Sequence, residues 1–224
     1  MVLLGLCDAR YRFTLVDVGG RGRRSDGGLF DRWEVGRRLH TGTLDLPAPR
    51  IPPGGWVATP HVILGDAAFG LAPNLLTPYT GRFLTDDKNI FNYRLSRARR
   101  VAENVFGIMT ARWRVLRRTF LASKATARSI ILAVVCLHNL LVLNEENAPQ
   151  EERRYLPPDF VDREDEEGRL IRGQWRHDAE GQDVAVQRGR PGGHDEGAEV
   201  RENLTDYFLG PGQIPWQWRH LRRL

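Results

Sequence analysis

The sequence predicts an α/β fold, and four observations support that class. Two apolar runs, Met1–Asp8 and Tyr11–Val18, flank a short turn, as in a hairpin of strands. A third run, His61–Asp66, is apolar without alternation, which is typical of a strand buried on both faces. Asn92–Arg118 repeats apolar residues at the three- and four-residue steps of a helix. Ser123–Asn144 is apolar on nearly all sides, which predicts a second helix inside the domain.

The composition suits one domain with appended segments, since the chain has 224 residues and 41% hydrophobic content. Cys7 and Cys136 lie far from each other and from any spaced histidine, so we expect neither a zinc site nor a disulfide framework. An intracellular protein is favoured, and the start lacks the basic region of a signal peptide. The apolar run Ile130–Leu143 is short of the roughly 18 residues of a membrane span. We therefore expect no membrane contact.

The charge is divided unevenly along the chain. Residues 1–144 carry 21 Lys and Arg against 10 Asp and Glu, whereas residues 145–224 carry 12 against 18. Only two of the basic residues, Lys88 and Lys124, are lysines. An arginine-rich part followed by an acidic tail fits a domain that binds a polyanion. The alternative is that a GC-rich coding sequence raises the arginine content without any role in nucleic-acid binding.

A loop rich in glycine and arginine, Gly19–Gly28, follows the second strand. It lacks the Gly-Lys-Ser/Thr ending of a phosphate loop and the spacing of a dinucleotide fingerprint. The loop contains three arginines, Arg21, Arg23 and Arg24. These arginines can contact a DNA backbone; the alternative is that the loop is a solvated turn. Ser25 or Asp26 can cap a helix that starts near Gly28.

Two carboxylates are the candidates for chemistry. Asp66 ends a predicted buried strand, and ligand sites in open α/β sheets lie beyond the carboxyl ends of such strands. Glu103 points about 140° away from the apolar stripe of its helix, at 100° per residue. The polar face of that helix also carries Arg99, Arg100 and Arg114. Periodicity alone therefore favours a surface glutamate that pairs with Arg99 or Arg100.

Two further features complete the chain. His138-Asn139 interrupts the second helix, and such a pair is more often a satisfied core pair, or a link to a loop, than a ligand. Glu145–Glu199 is charged, glycine-rich and without a period, which predicts disorder. Val200–Leu209 has the pattern of a short amphipathic helix, and Trp216–Trp218 precedes a basic end.

Four segments together resemble the nuclease domain of the PIF/Harbinger transposases and their domesticated relatives. They occur in that family's order and spacing and cover about residues 1–144: Val2–Phe30, His61–Tyr79, Phe91–Leu116 and Ile131–Leu141. The resemblance implies a DDE endonuclease with an RNase H-like fold, in which a mixed sheet is flanked by helices. Three carboxylates there hold two divalent metal ions, Mg²⁺ or Mn²⁺, whose preferred ligands are oxygens.

The resemblance assigns roles to individual residues. Asp66, in Gly-Asp-x-x-Phe, matches the family's second acid, and Glu103, in Val-x-Glu-Asn-x-Phe-Gly, matches the third. Both are thus implied to be catalytic metal ligands for phosphodiester cleavage by a two-metal mechanism. The arginines implied to contact the DNA backbone are Arg21, Arg23, Arg24, Arg99, Arg100 and Arg114. The family further implies a nuclear setting, with or without a cytoplasmic pool, and a Myb-like DNA-binding partner.

One part of the family's pattern has no counterpart here. The family's first acid lies upstream of the segment that begins at Val2, so we expect an N-terminally truncated nuclease that lacks a central strand. Asp8 and Asp17 match other family positions. The predicted organisation is a nuclease domain over 1–144, a disordered linker over 145–199, and a short helix with a basic tail over 200–224. An inactive fragment that binds DNA or a protein is the alternative function.

Overall fold

A computed structural model describes residues 1–20, 26–178 and 195–221. Its contacts divide the chain into two compact units. Unit 1 comprises Met1–Gly22 and Arg100–Val184, and unit 2 comprises Arg23–Arg99 and Ala185–Leu224. The described residues form helices and three separate two-stranded sheets. The α/β class is thus confirmed, although the strands do not join in the single mixed sheet that the resemblance implied.

Unit 1 begins with the predicted hairpin. Strands β1 (Val2–Cys7) and β2 (Phe13–Gly20) pair antiparallel. The turn between them is closed by Asp8, whose Oδ1 accepts the backbone N–H groups of Arg10 at 2.9 Å and Arg12 at 3.0 Å. An Asp that bonds the backbone two residues on is a turn-forming device. The local sequence therefore accounts for the hairpin without help from distant residues.

The helix α3 (Asp86–Arg112) is the longest element and contributes to both units. It begins six residues before the predicted Asn92, and a separate 3₁₀ turn, Arg114–Arg117, replaces the predicted last turns. Asp86 and Asp87 lie in its first turn, where carboxylates interact favourably with the helix dipole. In the part of α3 that belongs to unit 1, three residues of the predicted apolar stripe are buried: Val105, Ile108 and Met109.

The helix α4 (Lys124–Glu145) starts one residue after the predicted Ser123, which caps it: Ser123 Oγ accepts the N–H of Thr126 at 3.1 Å. Only one side of the helix is buried, where it packs in the core with Phe13 and α3. The buried residues of that side are Ala127, Ile131, Val134, Val135, His138 and Val142. The other side exposes Leu137, Leu140 and Leu143. The prediction of a wholly internal helix therefore holds for one side alone. At 22 residues the helix is also long and apolar enough to cross a membrane by length and composition.

Residues 145–178 are folded, where their charge predicted disorder. They contain a 3₁₀ turn (Gln150–Glu152), the paired strands β5 (Arg163–Glu164) and β6 (Leu170–Ile171), and the short helix α5 (Trp175–Asp178). Three aromatic residues explain the difference, because they form a buried cluster with Ile108 and Val142: Tyr155, Phe160 and Trp175. Large aromatic side chains bury enough apolar area to order an otherwise charged segment. Residues 179–194 of the predicted linker lie outside the described residues.

Unit 2 contains short elements around the first part of α3. They are α1 (Asp26–Phe30), α2 (Glu34–His40), β3 (Ile63–Leu64), β4 (Leu75–Leu76), α6 (Asp195–Leu209) and α7 (Gln217–Leu221). β3 occupies only two residues of the predicted run His61–Asp66 and pairs parallel with β4. Ile63 is half-buried and Leu64 is exposed, so the prediction of a strand buried on both faces is wrong. α6 begins before the predicted Val200, and its Leu204 and Phe208 pack on the cluster formed by Leu71, Leu76, Phe91 and Leu95.

Candidate metal and nucleic-acid site

Asp66 lies in a turn of unit 2, two residues past the end of β3. Gly65 N–H donates to Leu76 O at 2.8 Å, so the hydrogen bonding between β3 and β4 continues to the residue before Asp66. Asp66 Oδ1 then accepts the N–H of Ala68 at 2.8 Å, so the carboxylate closes its own turn. Its other oxygen, Oδ2, lies 3.7 Å from Nη2 of Arg99. Asp66 therefore lies beyond the carboxyl end of a strand, as the sequence predicts.

A second carboxylate, Asp26, lies close to Asp66. Helix α1 packs directly on the Asp66 turn, because a Cβ added at Gly27 would be 2.2 Å from Ala68 O. Phe30 and Phe69 add an edge-to-face contact at 5.5 Å between ring centroids. The pKa of Asp26 is raised, first by burial and then by the negative charge of Asp66. The local sequence indicated Asp26 only as a possible helix cap; the adjacent glycine pair, which permits close packing, was the available signal of its contact with the Asp66 turn.

Glu103 belongs to unit 1 and is exposed on α3, with 55% of its side chain accessible. The predicted exposure is therefore observed, but its ion pair is with neither of the arginines that periodicity favoured. Nη2 of Arg176 lies 3.4 Å from Glu103 Oε2. Arg100 instead pairs with Glu164 at 2.7 Å. The partner of Glu103 comes from the segment that the sequence predicted to be disordered.

Arg176 is itself fixed by a buried carboxylate, Asp162. Arg176 Nε donates to both carboxylate oxygens, at 2.9 and 3.0 Å, and Nη2 also contacts Oδ2. The N–H of Gly173 donates to Asp162 Oδ1 at 2.8 Å. Burial would raise the pKa of Asp162, but the hydrogen bonds from Arg176 and Gly173 and the arginine charges lower it. The carboxylate therefore stays ionised and holds the guanidinium in one orientation.

The residue after Glu103 binds the same segment, which we call the strap and define as residues 160–177. Asn104 is 2% exposed, and its Oδ1 accepts the indole N–H of Trp175 at 2.8 Å and the backbone N–H of Asp162 at 3.1 Å. One turn later, a Cβ added at Gly107 would lie 2.2 Å from the Trp175 ring. The Asn and the Gly of the Glu-Asn-x-Phe-Gly stretch thus both serve to dock the strap.

The candidate arginines for DNA have different surroundings. Arg99 and Arg100 take part in the ion pairs with Asp66 and Glu164, and less than a third of each side chain is exposed. Arg114 is exposed in the 3₁₀ turn after α3. Arg21, Arg23 and Arg24 lie outside the described residues.

His138 and Asn139 are satisfied core groups, as the more common interpretation of such a pair predicts. His138 is fully buried; its Nδ1 is 2.7 Å from Tyr155 Oη and its Nε2 is 2.7 Å from Tyr11 O. Asn139 exchanges two hydrogen bonds with the backbone of Phe13, at 2.9 and 2.8 Å. Burial lowers the pKa of His138. The pair joins α4 to the hairpin.

The donors available for a metal ion are carboxylate oxygens, which is the chemistry that Mg²⁺ and Mn²⁺ prefer. Asp26 and Asp66 bring two carboxylates together where α1 packs on the Asp66 turn, and burial, followed by the charge of Asp66, raises the pKa of Asp26. Glu103 belongs to the other unit. Within ranges 1–20, 26–178 and 195–221, no three His, Cys, Asp or Glu side chains gather as a metal-binding group.

The chain has matches among known protein families and known proteins. The family described as DDE superfamily endonuclease matches residues 1–139, a range that includes Asp26, Asp66 and Glu103. The chain is also 28% identical over 153 residues to a protein named "Protein ALP1-like" from Arabidopsis thaliana. That match covers 65% of the chain but 36% of the relative, so the chain corresponds to little more than a third of that protein. No solved structure matches the chain.

Proposed function

This chain belongs to the DDE superfamily endonucleases, and on that premise we propose that it is a Harbinger-type, divalent-metal-dependent DNA endonuclease with an RNase H-like fold. The observation that carries the proposal is the pair of carboxylates, Asp26 and Asp66, at one turn within the family's range. Two acids that lie near each other are a common arrangement at metal-dependent sites.

The proposed roles follow from the chemistry of each group. Asp66 and Glu103 would hold Mg²⁺ or Mn²⁺, and Asp26 would add an oxygen donor beside Asp66. Ions held by these residues would supply the Lewis acidity needed to activate a water or a 3′-hydroxyl and to stabilise the leaving oxygen of the phosphodiester. Arg114, with Arg21, Arg23 and Arg24, would contact DNA phosphates and position the strand without selecting its sequence.

Nicking of supercoiled plasmid DNA tests this proposal. The purified chain is incubated with Mg²⁺ or Mn²⁺ beside three variants, Asp66→Ala, Asp26→Asn and Glu103→Gln. We expect metal-dependent nicking that falls to background in Asp66→Ala and Glu103→Gln and decreases in Asp26→Asn. Asp45→Ala removes an exposed acid from the same unit and should nick like the unaltered chain. Equal nicking by Asp66→Ala and Asp45→Ala would reject the assignment.

A second candidate function is DNA or protein binding without cleavage. Its support is the finding that the described residues contain no group of three metal-ligating side chains. Binding of labelled duplex DNA, measured from 50 to 200 mM salt, separates the two functions. A binding module loses affinity as salt rises, since released counterions drive phosphate binding, but it cleaves nothing in either metal. Asp66→Ala would then bind DNA as well as the unaltered chain.

We also propose a nuclear setting and a Myb-like protein that supplies sequence specificity, because the resemblance to the PIF/Harbinger family implies both. Fluorescence microscopy of a tagged chain tests the first point, with or without a cytoplasmic pool. Co-purification with Myb-like proteins from nuclear extract tests the second. Uniform exclusion from the nucleus would reject both.

A further inference from the structure

The helix α4 exposes an apolar face on the side away from the core of unit 1. Three leucines on that side are between 42% and 51% exposed: Leu137, Leu140 and Leu143. The helix contains no charged residue between Arg128 and Glu145. Arg128 Nε donates to Val18 O at 3.1 Å, and Glu145 accepts the backbone N–H groups of residues 154–156, so both bind unit 1 itself. Covering the face therefore removes no charge of residues 129–144 from water.

The face divides into a half with small side chains and a half with large ones. At 100° per residue, its exposed residues all lie within about 80° of Ala133 around the helix. The exposed residues of the amino-terminal half are small: Thr126, Ser129, Ala133 and Cys136. Those of the carboxyl-terminal half are the three leucines. Such a face is complementary to a reversed copy of itself, because large side chains then meet small ones.

We propose that this face is an antiparallel interface between two copies of the chain, related by a two-fold axis near Cys136. Leu140 of one copy then lies over Ala133 of the other, and the axis repeats that contact. Leu143 likewise lies over Ser129 of the other copy. A parallel pairing would place Leu140 on its own counterpart and leave the small half loosely packed.

The size of the face suits a specific but reversible dimer. Residues 129–144 rise about 1.5 Å each, so the face is about 24 Å long on a helix about 10 Å wide. With the ridged side chains of both copies counted, the contact buries on the order of 1,000 Å² of accessible surface, near the lower limit of specific interfaces. A lipid surface would also accept apolar residues, but apolar burial in lipid has no direction and gains nothing from the division into halves.

Sedimentation velocity of the full chain at concentrations of about 1 to 100 µM tests the proposal. The proteins are the unaltered chain, Leu140→Glu, Ala133→Lys, the double variant with both changes, and the control Leu121→Glu. Leu121 is 100% exposed in the same unit and precedes α4, so its variant adds the same charge away from the face. Circular dichroism and thermal melting establish that each variant is folded.

We expect the unaltered chain and Leu121→Glu to dimerise as concentration rises. Each single change within the face should weaken association about tenfold or more, because it buries an unpaired charge. The double variant should regain most of the association, since the antiparallel pairing brings the two opposite charges together twice. A double variant weaker than both single variants would indicate the parallel pairing and overturn the proposal. A chain that stays monomeric, or one that Leu121→Glu dissociates as strongly as Leu140→Glu, would overturn it too.

A thiol cross-link provides an independent measurement, because Cys136 is exposed and lies near the proposed axis. Cys7 is half-buried, and burial, followed by the charge of Asp8, raises the pKa of its thiol to about 11, so it reacts slowly. A short bis-maleimide should join two copies of the unaltered chain, and Leu140→Glu should abolish the link. Cys136→Ser is the control for the linked residue. No cross-link in the unaltered chain, or sedimentation with phosphatidylcholine vesicles in place of self-association, would overturn the proposal.

Discussion

Glu103 in unit 1 and Asp66 in unit 2 are the two acids that the family resemblance implies as ligands, yet each unit holds its own acid in a different way. Asp66 is oriented by its own turn, through the N–H of Ala68 two residues on. Glu103 forms its ion pair with Arg176, 73 residues away in the chain. A carboxylate bonded to its neighbouring backbone depends on local sequence, whereas one on an exposed helix face depends on a distant segment. We therefore expect changes in the strap to affect Glu103 and to leave the Asp66 turn intact.

The largest effect is expected from Trp175→Ala, which removes the strap's main contact with α3. Trp175 is 8% exposed and packs on Gly107, so the change leaves a cavity and frees Asn104. Truncation of a buried tryptophan costs about 3–5 kcal/mol of unfolding free energy, measured by urea titration. Trp56→Ala is the matched control, because Trp56 is 83% exposed and should change stability by less than about 0.5 kcal/mol. Equal effects would show that the strap contributes nothing to unit 1.

A smaller loss is expected from Asn104→Ala. The change leaves the indole N–H of Trp175 and the N–H of Asp162 without their acceptor. A buried donor left unpaired costs about 1–3 kcal/mol, so we expect a loss near the middle of that range in urea titration. The exposed Asn147 provides the control variant Asn147→Ala. Faster hydrogen exchange confined to residues 160–177 would confirm that the strap detaches, whereas uniform exchange would contradict a local role.

The Asp66 turn can be disturbed separately by Gly27→Ala. The new Cβ would meet Ala68 O at 2.2 Å, so α1 must shift away from the turn. Overpacking of this kind costs about 1–3 kcal/mol, and the better helix propensity of alanine offsets up to about 1 kcal/mol of it. We expect a net loss of about 1 kcal/mol by thermal unfolding. In Gly210→Ala the new Cβ would lie 3.4 Å from its nearest atom, so this control variant should have nearly unchanged stability. An equal loss of stability in the two variants would contradict a specific clash at Gly27.

The smallest expected effect is a dependence of the unfolding free energy on pH that arises from His138 in unit 1. His138 has a lowered pKa in the folded chain, below the ordinary value of 6.5, because it is buried between Tyr155 and Tyr11. The unfolded chain therefore binds the proton first as pH falls. The stability from neutral His138 is complete above pH 6.5 and declines as pH falls towards the lowered pKa, by at most about 1.4 kcal/mol per pH unit.

Urea titrations between pH 7.5 and pH 5 test this dependence. His138→Gln should flatten the decline, although the variant is less stable at every pH, because the buried titrating group is gone. His177→Gln removes an exposed histidine from the strap and should keep the slope of the unaltered chain. If the unfolding free energy of His138→Gln declined with pH as steeply as that of the unaltered chain, His138 would be excluded as the source of the decline.

Local pattern was sufficient for much of the fold. The hairpin, the start of α4 at Ser123 and the place of Asp66 beyond a strand all follow from residues within a few positions of each other. The same holds for the exposed face of α3 that carries Glu103. Hydrogen bonds and periodicity at short range determine such features, so the sequence by itself was enough to predict them.

The tertiary structure decided which distant segments meet. Charge predicted a disordered linker, yet Tyr155, Phe160 and Trp175 bury it against α3 and α4. The contact of α1 with the Asp66 turn and the pairing of Arg176 with Glu103 likewise join residues far apart in the chain. No local propensity encodes these contacts, because their stability comes from apolar burial and from charges that find partners only after the chain has folded.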